Sequence, residues 1–358
     1  MSVEFEQNIE EEAAEPASCE DLLRAYQEST ADNPPQPGEL LDVETLSPRS
    51  NVIKITAPIR IYKESELDAV IGELTAYNPA YLSGGPIAAR IEPFVNHDSR
   101  IAFFDPTNPR KLVQLPDTPI LPLEDPFATP AKVGNKTLIG GVNVDRNLNY
   151  QTLIYGFTNN IDELHEQGGA IVQPIIEGPP GMKGIRPFEL PDGRVGVFTR
   201  PQGKKGGRGK IGYFEARSLE TITQNQFEEA EIIPGLFRDD EWGGVNEATL
   251  LADGRIGVLG HIARFIENPN GPKPLKEYYS ITFEFDPSNR TFSGLQIIGT
   301  ATDSLPHVYT KNPDISDETT YPGGLVPRPD GTVEFWRGIC DVAVAKSLIS
   351  DPFAGLRG

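Results

Sequence analysis

Four carboxylates stand at the ends of short apolar runs in this sequence: Glu92, Asp125, Glu247 and Asp341. Two carboxyl groups that face each other across a sugar are the minimum for cleaving a glycosidic bond, because one must donate a proton to the leaving oxygen and the other must be ionised. Each of the four also fits an ordinary strand-end carboxylate that caps backbone N–H groups or pairs with an arginine. Asp125 is the strongest candidate, since Pro126 after it favours an extended backbone at a strand entry.

Cations and amides stand in corresponding places beside other apolar runs. They are Asn78, Arg90, Lys183, Arg186, Arg200, Arg208, Asn246 and His261. The segment 199–210 alone holds five cations, and its glycines would let backbone N–H groups approach an anion closely. This pattern predicts a pocket for phosphate, a phosphosugar or a carboxylate, and the alternative is a flexible, solvated loop. The segment lacks the Walker A pattern and the helix that follows that pattern.

Motifs for metals and cofactors are missing from the sequence. The four histidines are dispersed, so no catalytic zinc site is indicated. Cys340 lies within an apolar run, where packing is a better interpretation than nucleophilic catalysis. We therefore expect neither a bound metal nor a cofactor.

Five recurring hairpins must position these side chains. Three of them turn at Asp192-Gly193, Asp253-Gly254 and Asp330-Gly331. Asp-Gly between apolar runs is a strong hairpin signal, because glycine accepts the positive φ of a tight turn. Two weaker copies turn at Gly84-Gly85 and Gly134-Asn135. The spacing of roughly 50 to 77 residues suits a four-stranded propeller blade with added loops.

The predicted fold is therefore all-β, a five-bladed β-propeller, with a β-sandwich as the structural alternative. The innermost strands of a propeller line its central channel, so the open ends of the five hairpins would converge on one rim. The carboxylates, cations and amides named above stand at those open ends. A funnel with convergent polar groups is the default site for a small molecule.

Charge is unevenly distributed along the chain of 358 residues, whose net charge is −20. Residues 1–45 hold 13 acidic groups against Arg24 alone. This imbalance predicts an acidic, largely disordered arm over residues 1–50, in which Cys19–Ser29 could form one short helix. Residues 51–358 would form a single propeller domain. Such an arm should add little to the stability of the protein.

Composition also limits the partners and the location. The acidic balance disfavours nucleic acid as a partner, and no apolar run is long enough to cross a membrane. Two cysteines argue against a disulfide framework. Because the first residues lack the pattern of a signal peptide, the expected location is the cytoplasm.

Several motifs resemble a conserved protein family of unknown function, DUF1861. They are the glycine-rich run from Gly178 to Glu215, the segments 241–247 and 257–263, and Tyr321 to Val326. A more distant resemblance is to glycoside hydrolase family 130, which comprises mannoside phosphorylases and related hydrolases on five-bladed propellers. The segments that are similar to its motifs are 78–80 with 89–92, 124–126, and 322–323 with 336–341.

The distant resemblance implies that Asp125 is a general acid and that Asp341 binds sugar. The chain departs from that family's pattern at Phe127, where an arginine is expected, and at Gly184, where an aspartate is expected. An acidic residue is also expected near Ala343. In a phosphorylase of this kind, the segment 199–210 would have to bind the phosphate.

The predicted function is cleavage of a glycoside, by a glycosidase or a glycoside phosphorylase, with mannosides as the substrates that the resemblance implies. Asp125 would act as the general acid, while Glu92, Glu247 and Asp341 would fix hydroxyl groups or activate the nucleophile. The cations would hold phosphate in a phosphorylase, or a charged substrate group in a hydrolase. The expected partners are a carbohydrate and, for a phosphorylase, inorganic phosphate. The alternatives are a carbohydrate-binding propeller without catalysis and a protein-interaction scaffold.

Overall fold

Five β-sheets are arranged around a central channel in the computed structural model, which describes residues 15–46, 54–55, 74–93, 99–165, 170–305 and 307–357. Each blade is built on an antiparallel meander whose first strand is innermost, and two of the sheets add a parallel pair on their outer side. The innermost strands contact one another near the channel. The predicted five-bladed β-propeller is confirmed.

The chain enters the fold through one helix and three short strands: α1 (Cys19–Thr30), β1 (Gly38–Leu40), β2 (Asp42–Leu46) and β3 (Lys54–Ile55). The first blade follows with β4 (Leu74–Tyr81), β5 (Ile87–Pro93), β6 (Arg100–Asp105) and β7 (Lys111–Gln114). The second blade consists of β8 (Glu124–Ala128), β9 (Thr137–Val144), β10 (Tyr150–Phe157) and β11 (Ile176–Glu177).

The third blade contains β12 (Arg186–Glu189), β13 (Val195–Thr199), α2 (Gly203–Gly206), β14 (Gly212–Ala216), α3 (Gln224–Glu229) and β15 (Glu231–Ile232). The fourth blade has the strands β16 (Trp242–Leu250), β17 (Ile256–Ile266), β18 (Leu275–Asp286) and β19 (Thr291–Gly299). After β20 (Ser304–Leu305), the fifth blade is built from β21 (Thr320–Pro327), β22 (Thr332–Ile339) and β23 (Ala343–Ser350). Short 3-10 turns span Ile161–Leu164, Leu219–Thr221 and Ala301–Asp303.

The five predicted turns join the two innermost strands of each blade. The turn glycines have φ between 63° and 88°, and they are Gly84, Gly134, Gly193, Gly254 and Gly331. In the Asp-Gly copies the aspartate also fixes the turn, as where the Arg194 N–H donates to Asp192 Oδ1 at 3.1 Å. Local turn chemistry therefore sets the hairpins, and the hairpins set the blades.

Four of the five innermost strands carry a β-bulge, where one or two residues are left out of the ladder. The bulges lie at Asn78 in β4, Asp125 in β8, Asn246 in β16 and Gly323 in β21. Bulges re-aim side chains and often border active sites. At Gly323 a side chain has no room, since a Cβ atom there would lie 2.1 Å from the carbonyl oxygen of Pro79 in the next blade.

The predicted boundary at residue 50 does not separate an arm from the propeller. β1 pairs with β23 as the next strand of the fifth blade, and β2 pairs with β7 in the first blade. α1 buries Cys19 and Leu22 in a cluster with residues of the third and fourth blades. The acidic composition gave no indication of these contacts, because acidic side chains such as Glu39 are exposed between buried neighbours, here Gly38 and Leu40. The rest of the predicted arm, residues 1–14 and 47–50, lies outside the described residues.

Replacing Leu41 by alanine should lower the free energy of unfolding by about 2–5 kcal/mol, the usual cost of truncating a buried leucine. Leu41 connects β1 to β2, is 1% exposed and packs in a cluster with Trp336 and Val344 of the fifth blade. Glu39→Ala, on the solvent side of β1, is the control and should stay within about 0.5 kcal/mol of the original protein. Urea denaturation measures both. Equal stability of the two variants would contradict a structural role for this segment.

Candidate active site

A cavity of about 260 Å³ lies at the centre of the propeller, where the open ends of the hairpins meet. Eight of the predicted site residues line it: Asn78, Arg90, Asp125, Lys183, Arg186, Arg200, His261 and Asp341. The carboxylates come from the second and fifth blades, and Arg90 of the first blade lies among them. Three of the cations come from the third blade or the chain just before it. The cavity therefore has an acidic side and a cationic side.

Arg90 in β5 holds the carboxylates of the acidic side in place. Its guanidinium donates to Asp125 Oδ1 at 3.0 Å and to Glu92 Oε2 at 2.9 Å, and it lies 3.4 Å from Glu124 Oε1. The Arg90 side chain is 11% exposed, so water screens these contacts little. One nearly buried guanidinium thus fixes the geometry of three carboxylates.

Asp125 reaches the cavity from the bulge in β8. Its φ is 47°, which is left-handed and not the extended backbone expected before Pro126. Asn78, which also precedes a proline, has the same φ of 47° in β4, and its Nδ2 donates to Asp125 Oδ1 at 3.0 Å. The bulge overrides the local preference of the residue before proline. The two bulges together turn the amide and the carboxylate toward each other.

The carboxyl groups of the cavity differ in pKa. Burial raises the pKa of Asp125, but Arg90 and Lys183 outweigh burial and lower that pKa to about 2. Burial raises the pKa of Asp341, and the opposing effect of Arg90 does not cancel it. Burial also raises the pKa of Glu124, and the charge of Asp125 adds to this rise. Environments that push neighbouring carboxyl groups apart in pKa are typical of acid–base sites.

Lys183, Arg186 and Arg200 form the cationic side, and none of them makes an ion pair with a carboxylate of the described residues. Arg186 donates to the backbone oxygen of Asn246 at 3.0 Å and stacks 4.0 Å from the centre of the Phe127 ring. Both arginines are 5% exposed. Burial lowers the pKa of all three cations. Cations removed from water without a carboxylate partner are costly, so this wall indicates a site for an anion.

The positions at which the chain departs from the pattern of glycoside hydrolase family 130 affect the cationic side of the cavity. Phe127, in place of an arginine, carries the guanidinium of Arg186 on its ring. Gly184 has φ 77°, and a Cβ atom there would lie 3.2 Å from the Arg200 side chain. Because position 184 carries no carboxylate, it neutralises the charge of neither Lys183 nor Arg200. Ala343 is buried in an apolar cluster.

His261 lies beside these cations and is a neutral hydrogen-bond acceptor. Its Nδ1 lies 2.8 Å from Asn246 Oδ1, while Asn246 Nδ2 donates to the backbone oxygen of Pro322 at 2.9 Å. Since an amide oxygen only accepts, Nδ1 carries the proton and Nε2 is the acceptor. Burial, and then the charges of Arg200 and Lys183, lower the pKa of His261 well below its usual value. His261 can therefore accept a hydrogen bond from a ligand hydroxyl.

The other four predicted site residues do not line the cavity. Glu92 lies behind Arg90 and accepts from Tyr77 Oη at 2.6 Å, and Asn246 supports His261. Glu247 faces the backbone of β21, where the Leu325 N–H donates at 3.4 Å, and burial raises its pKa to about 7. Arg208 stacks on aromatic rings at the mouth. The segment 199–210 thus contributes Arg200 alone to the cavity lining.

Sequence reasoning missed one segment of the wall, residues 307–319 before β21. This segment contributes Asn312, Ile315 and Thr319 to the lining, and Asn312 Nδ2 donates to Asp341 Oδ2 at 3.3 Å. The segment belongs to no hairpin repeat, so periodicity could not locate it. Two polar lining residues of β18, Lys276 and Tyr278, were also missed.

Lys311 of the same segment crosses to the first blade. Its Nζ donates to Glu92 Oε1 at 2.5 Å and to Thr75 Oγ1 at 2.6 Å, and its side chain is 6% exposed. Glu92 accepts in turn from Arg90. Lys311 therefore positions Arg90 through Glu92, although it is not among the residues that line the cavity.

Replacing Lys311 by methionine should reduce turnover of the substrate by up to about 10²-fold, which is the usual loss of rate when catalytic groups are misplaced by about 1 Å. The acid limb of the pH–rate profile should also move to higher pH. Burial raises the pKa of Glu92, but Arg90 and Lys311 lower it to about 2. Without Lys311 this pKa rises, and protonated Glu92 releases Arg90.

Two further variants make this test specific. Lys311→Arg should restore most of the activity, while Lys273→Met, which removes a 71% exposed partner of Asp314, should leave the pH profile unchanged. Initial rates measured across pH give the result. An unshifted profile for Lys311→Met would show that Lys311 is not a positioning residue.

The His, Cys, Asp and Glu side chains of the described ranges include no group of three that could hold a metal ion. The described helices include none that is long and apolar enough to cross a membrane.

A family model described as "Protein of unknown function (DUF1861)" matches residues 78–355, from the first blade through the fifth. The chain belongs to this family. A comparison of the DUF1861 protein with curated proteins finds no significant match.

Solved structures similar to this DUF1861 protein include two from Leishmania mexicana. The mannose phosphorylase MPT-4, in complex with a phosphate ion, is 25% identical with a TM-score of 0.73, over 94% of this chain and 96% of that chain. The GDP-Man-dependent mannosyltransferase MPT-1 is 24% identical with a TM-score of 0.74, over 96% and 97%. A structure from the GH130 family of mannoside phosphorylases is 13% identical with a TM-score of 0.52, over 89% and 96%. The distant resemblance to family 130 is thereby confirmed for the fold.

Proposed function

We propose that this DUF1861 protein is a glycoside phosphorylase that cleaves mannosides with inorganic phosphate. The observation that carries the proposal is the cationic wall formed by the half-buried Lys183 and the buried Arg186 and Arg200, none of which makes an ion pair with a carboxylate of the described residues. This wall faces Asp125 and Asp341 across the cavity. A hydrolase needs only water as the nucleophile, whereas a phosphorylase must hold an anion beside the sugar.

The charge of the cavity fits a phosphate dianion. Its lining contains three carboxylates and five cationic side chains, which are Arg90, Lys183, Arg186, Arg200 and Lys276. Two positive charges are therefore in excess, inside a chain whose net charge is −20. A phosphate group carries about −1.5 to −2 near neutral pH, which balances this excess.

In the proposed reaction, phosphate oxygen attacks the anomeric carbon as the glycosidic C–O bond breaks. Asp125 donates its proton to the leaving oxygen, so that the released sugar carries it, and the proton of the hydrogen phosphate then returns to Asp125 and restores the acid. The low pKa of Asp125 depends in part on Lys183. Phosphate at Lys183 offsets that charge and raises the pKa of Asp125, so binding of the nucleophile prepares the acid. Asp341, with its raised pKa, would hold sugar hydroxyl groups.

The similarity to MPT-4 supports the choice of substrate. That protein is a mannose phosphorylase whose structure contains phosphate, and the two chains cover each other almost completely. Phosphate and mannose are therefore the first ligands to test with this chain.

The purified full-length chain should be incubated with mannobioses of different linkages, with and without phosphate. We expect cleavage only with phosphate and the appearance of mannose 1-phosphate in phosphorus NMR spectra. Release of free mannose independent of phosphate would mean hydrolysis, and product formed only from GDP-mannose would mean glycosyl transfer. Binding of mannosides without turnover would favour a carbohydrate-binding propeller, and no binding at all would favour a scaffold. Each of these four results would overturn the proposal.

A further inference from the structure

The hairpin formed by β17 and β18 projects past the rest of the fourth blade. These are the longest strands among those described, at 11 and 12 residues. Trp242, the first residue of β16, pairs with Ala263, while the pairing of β17 with β18 continues to Ile266 and Leu275. The end of the hairpin therefore extends beyond β16 at the mouth of the cavity, where Lys276 pairs with Ile315 of the segment 307–319.

Phe265 is on the side of this hairpin that faces the channel. It pairs with Lys276, and residues directly opposite each other in a ladder share one face of the sheet. Lys276 and Tyr278 both line the cavity. Phe265 thus continues the cavity wall outward, and it is 41% exposed.

Arg208 and Trp242 join Phe265 to form what we call the rim platform. The ring centres of Trp242 and Phe265 are 5.0 Å apart, and the Arg208 guanidinium lies 4.7 Å and 4.5 Å from them, respectively. Trp242 is 2% exposed, and Phe265 and Arg208 pack on it. Tyr278, 6.1 Å from Trp242, connects the platform to the cavity.

The rim platform is also tied to the anion wall. The backbone oxygen of Arg208 accepts from Gln202 Nε2 at 2.9 Å and from Arg200 Nη2 at 3.5 Å. The sequence pattern predicted Arg208 to be an anion ligand, but its guanidinium plane is stacked on the rings of Trp242 and Phe265 at the mouth of the cavity. The function proposed above uses none of these three residues.

We propose that the rim platform binds the sugar residue on the leaving-group side of the scissile bond. This inference rests on the proposed function. The cavity, at about 260 Å³, is below the usual range of roughly 300–1,000 Å³ for small-molecule sites. One hexose with phosphate occupies such a space, so the next hexose must lie at the mouth.

The chemistry of the rim platform suits a neutral pyranose. The C–H groups on one face of the sugar ring can lie on the electron-rich face of Phe265, and the apolar contact removes both from water. Arg208 and Lys276 carry donors that can reach the hydroxyl groups at the edge of the sugar. The platform would therefore select glycosides whose leaving group is itself a sugar.

Phe265→Ala tests this inference in the full-length protein. Affinity for a cleavable mannobiose, measured by calorimetry without phosphate, should fall about tenfold, because the sugar loses its apolar contact. Affinity for mannose 1-phosphate, which lies wholly within the cavity, should not change. Phe265→Leu keeps packing on Trp242 and should give an intermediate loss in a protein of unchanged stability. Leu250→Ala, at the far end of the same blade and 43% exposed in the original protein, is the matched control.

The outcomes separate this inference from the proposed function. Equal losses for mannobiose and mannose 1-phosphate, or no loss for either, would overturn the rim platform as a sugar site while phosphorolysis stands. If the original protein binds neither ligand, both proposals fail together. A loss confined to mannobiose supports the platform.

Discussion

Asp125→Asn should reduce the turnover of a mannobiose by about 10²–10⁴-fold, the usual contribution of general acid catalysis. The amide keeps the shape of the carboxyl group and can still bond to its neighbours Asn78 and Arg90, but it cannot donate the proton. Affinity for the substrate should change far less, because the loss falls on the transition state. Initial rates and calorimetry on the same preparation measure the two effects.

The leaving group decides whether the loss reflects acid catalysis. A dinitrophenyl mannoside needs little protonation, so Asp125→Asn should retain most of its activity on that substrate. Glu247→Gln, an equivalent amide replacement outside the cavity, should leave turnover close to that of the original protein on both substrates. Equal losses of Asp125→Asn on good and poor leaving groups would contradict the acid role. Asp341, whose pKa burial raises, would then be the next candidate for the acid.

Lys183→Met should weaken phosphate binding by about 10–100-fold, which is the loss of one charged hydrogen bond at about 1.5–3 kcal/mol. Phosphate should raise the melting temperature of the original protein by mass action, and the variant should need correspondingly more phosphate for the same shift. The ligand-free variant should be no less stable than the original protein. Burial lowers the pKa of Lys183, which means that the charge is unfavourable there without an anion.

Lys204→Met provides the comparison, because Lys204 is an exposed cation in α2 outside the cavity lining. It should keep the phosphate shift of the original protein. Thermal denaturation over a series of phosphate concentrations gives both curves. A full phosphate shift in Lys183→Met would place the anion elsewhere and remove the main support for phosphorolysis.

The blades could be predicted because their signals are local. An Asp-Gly turn such as Asp253-Gly254 fixes its hairpin within a few residues. Three such turns and two weaker glycine turns together specify the five hairpins of the ring. The same regularity placed the ends of the inner strands at one rim, so Arg90, Asp125 and Arg200 could be grouped from their positions in the hairpins alone. Residues that repeat with the blades are visible to this reasoning.

The remaining site residues could not be predicted because their contacts depend on closure of the ring. Lys311 meets Glu92 only when the fourth and fifth blades have brought the segment 307–319 back to the first. The role of Arg208 is hidden for another reason. A cluster of cations in the sequence does not show which guanidinium stacks on Trp242 and which faces the channel.

Closure of the ring also constrains how the chain folds. Leu40 of β1 pairs with Ala345 of β23, about 300 residues later, and this pairing bears the entropy cost of a very long loop. Contacts of such high sequence separation form late and slow the folding rate. During synthesis, β1 emerges first but its partner emerges almost last, so the N-terminal segment must wait for the fifth blade. The propeller is therefore completed late in the folding of the nascent chain. The contacts among Lys311, Glu92 and Arg90 form at the same late stage.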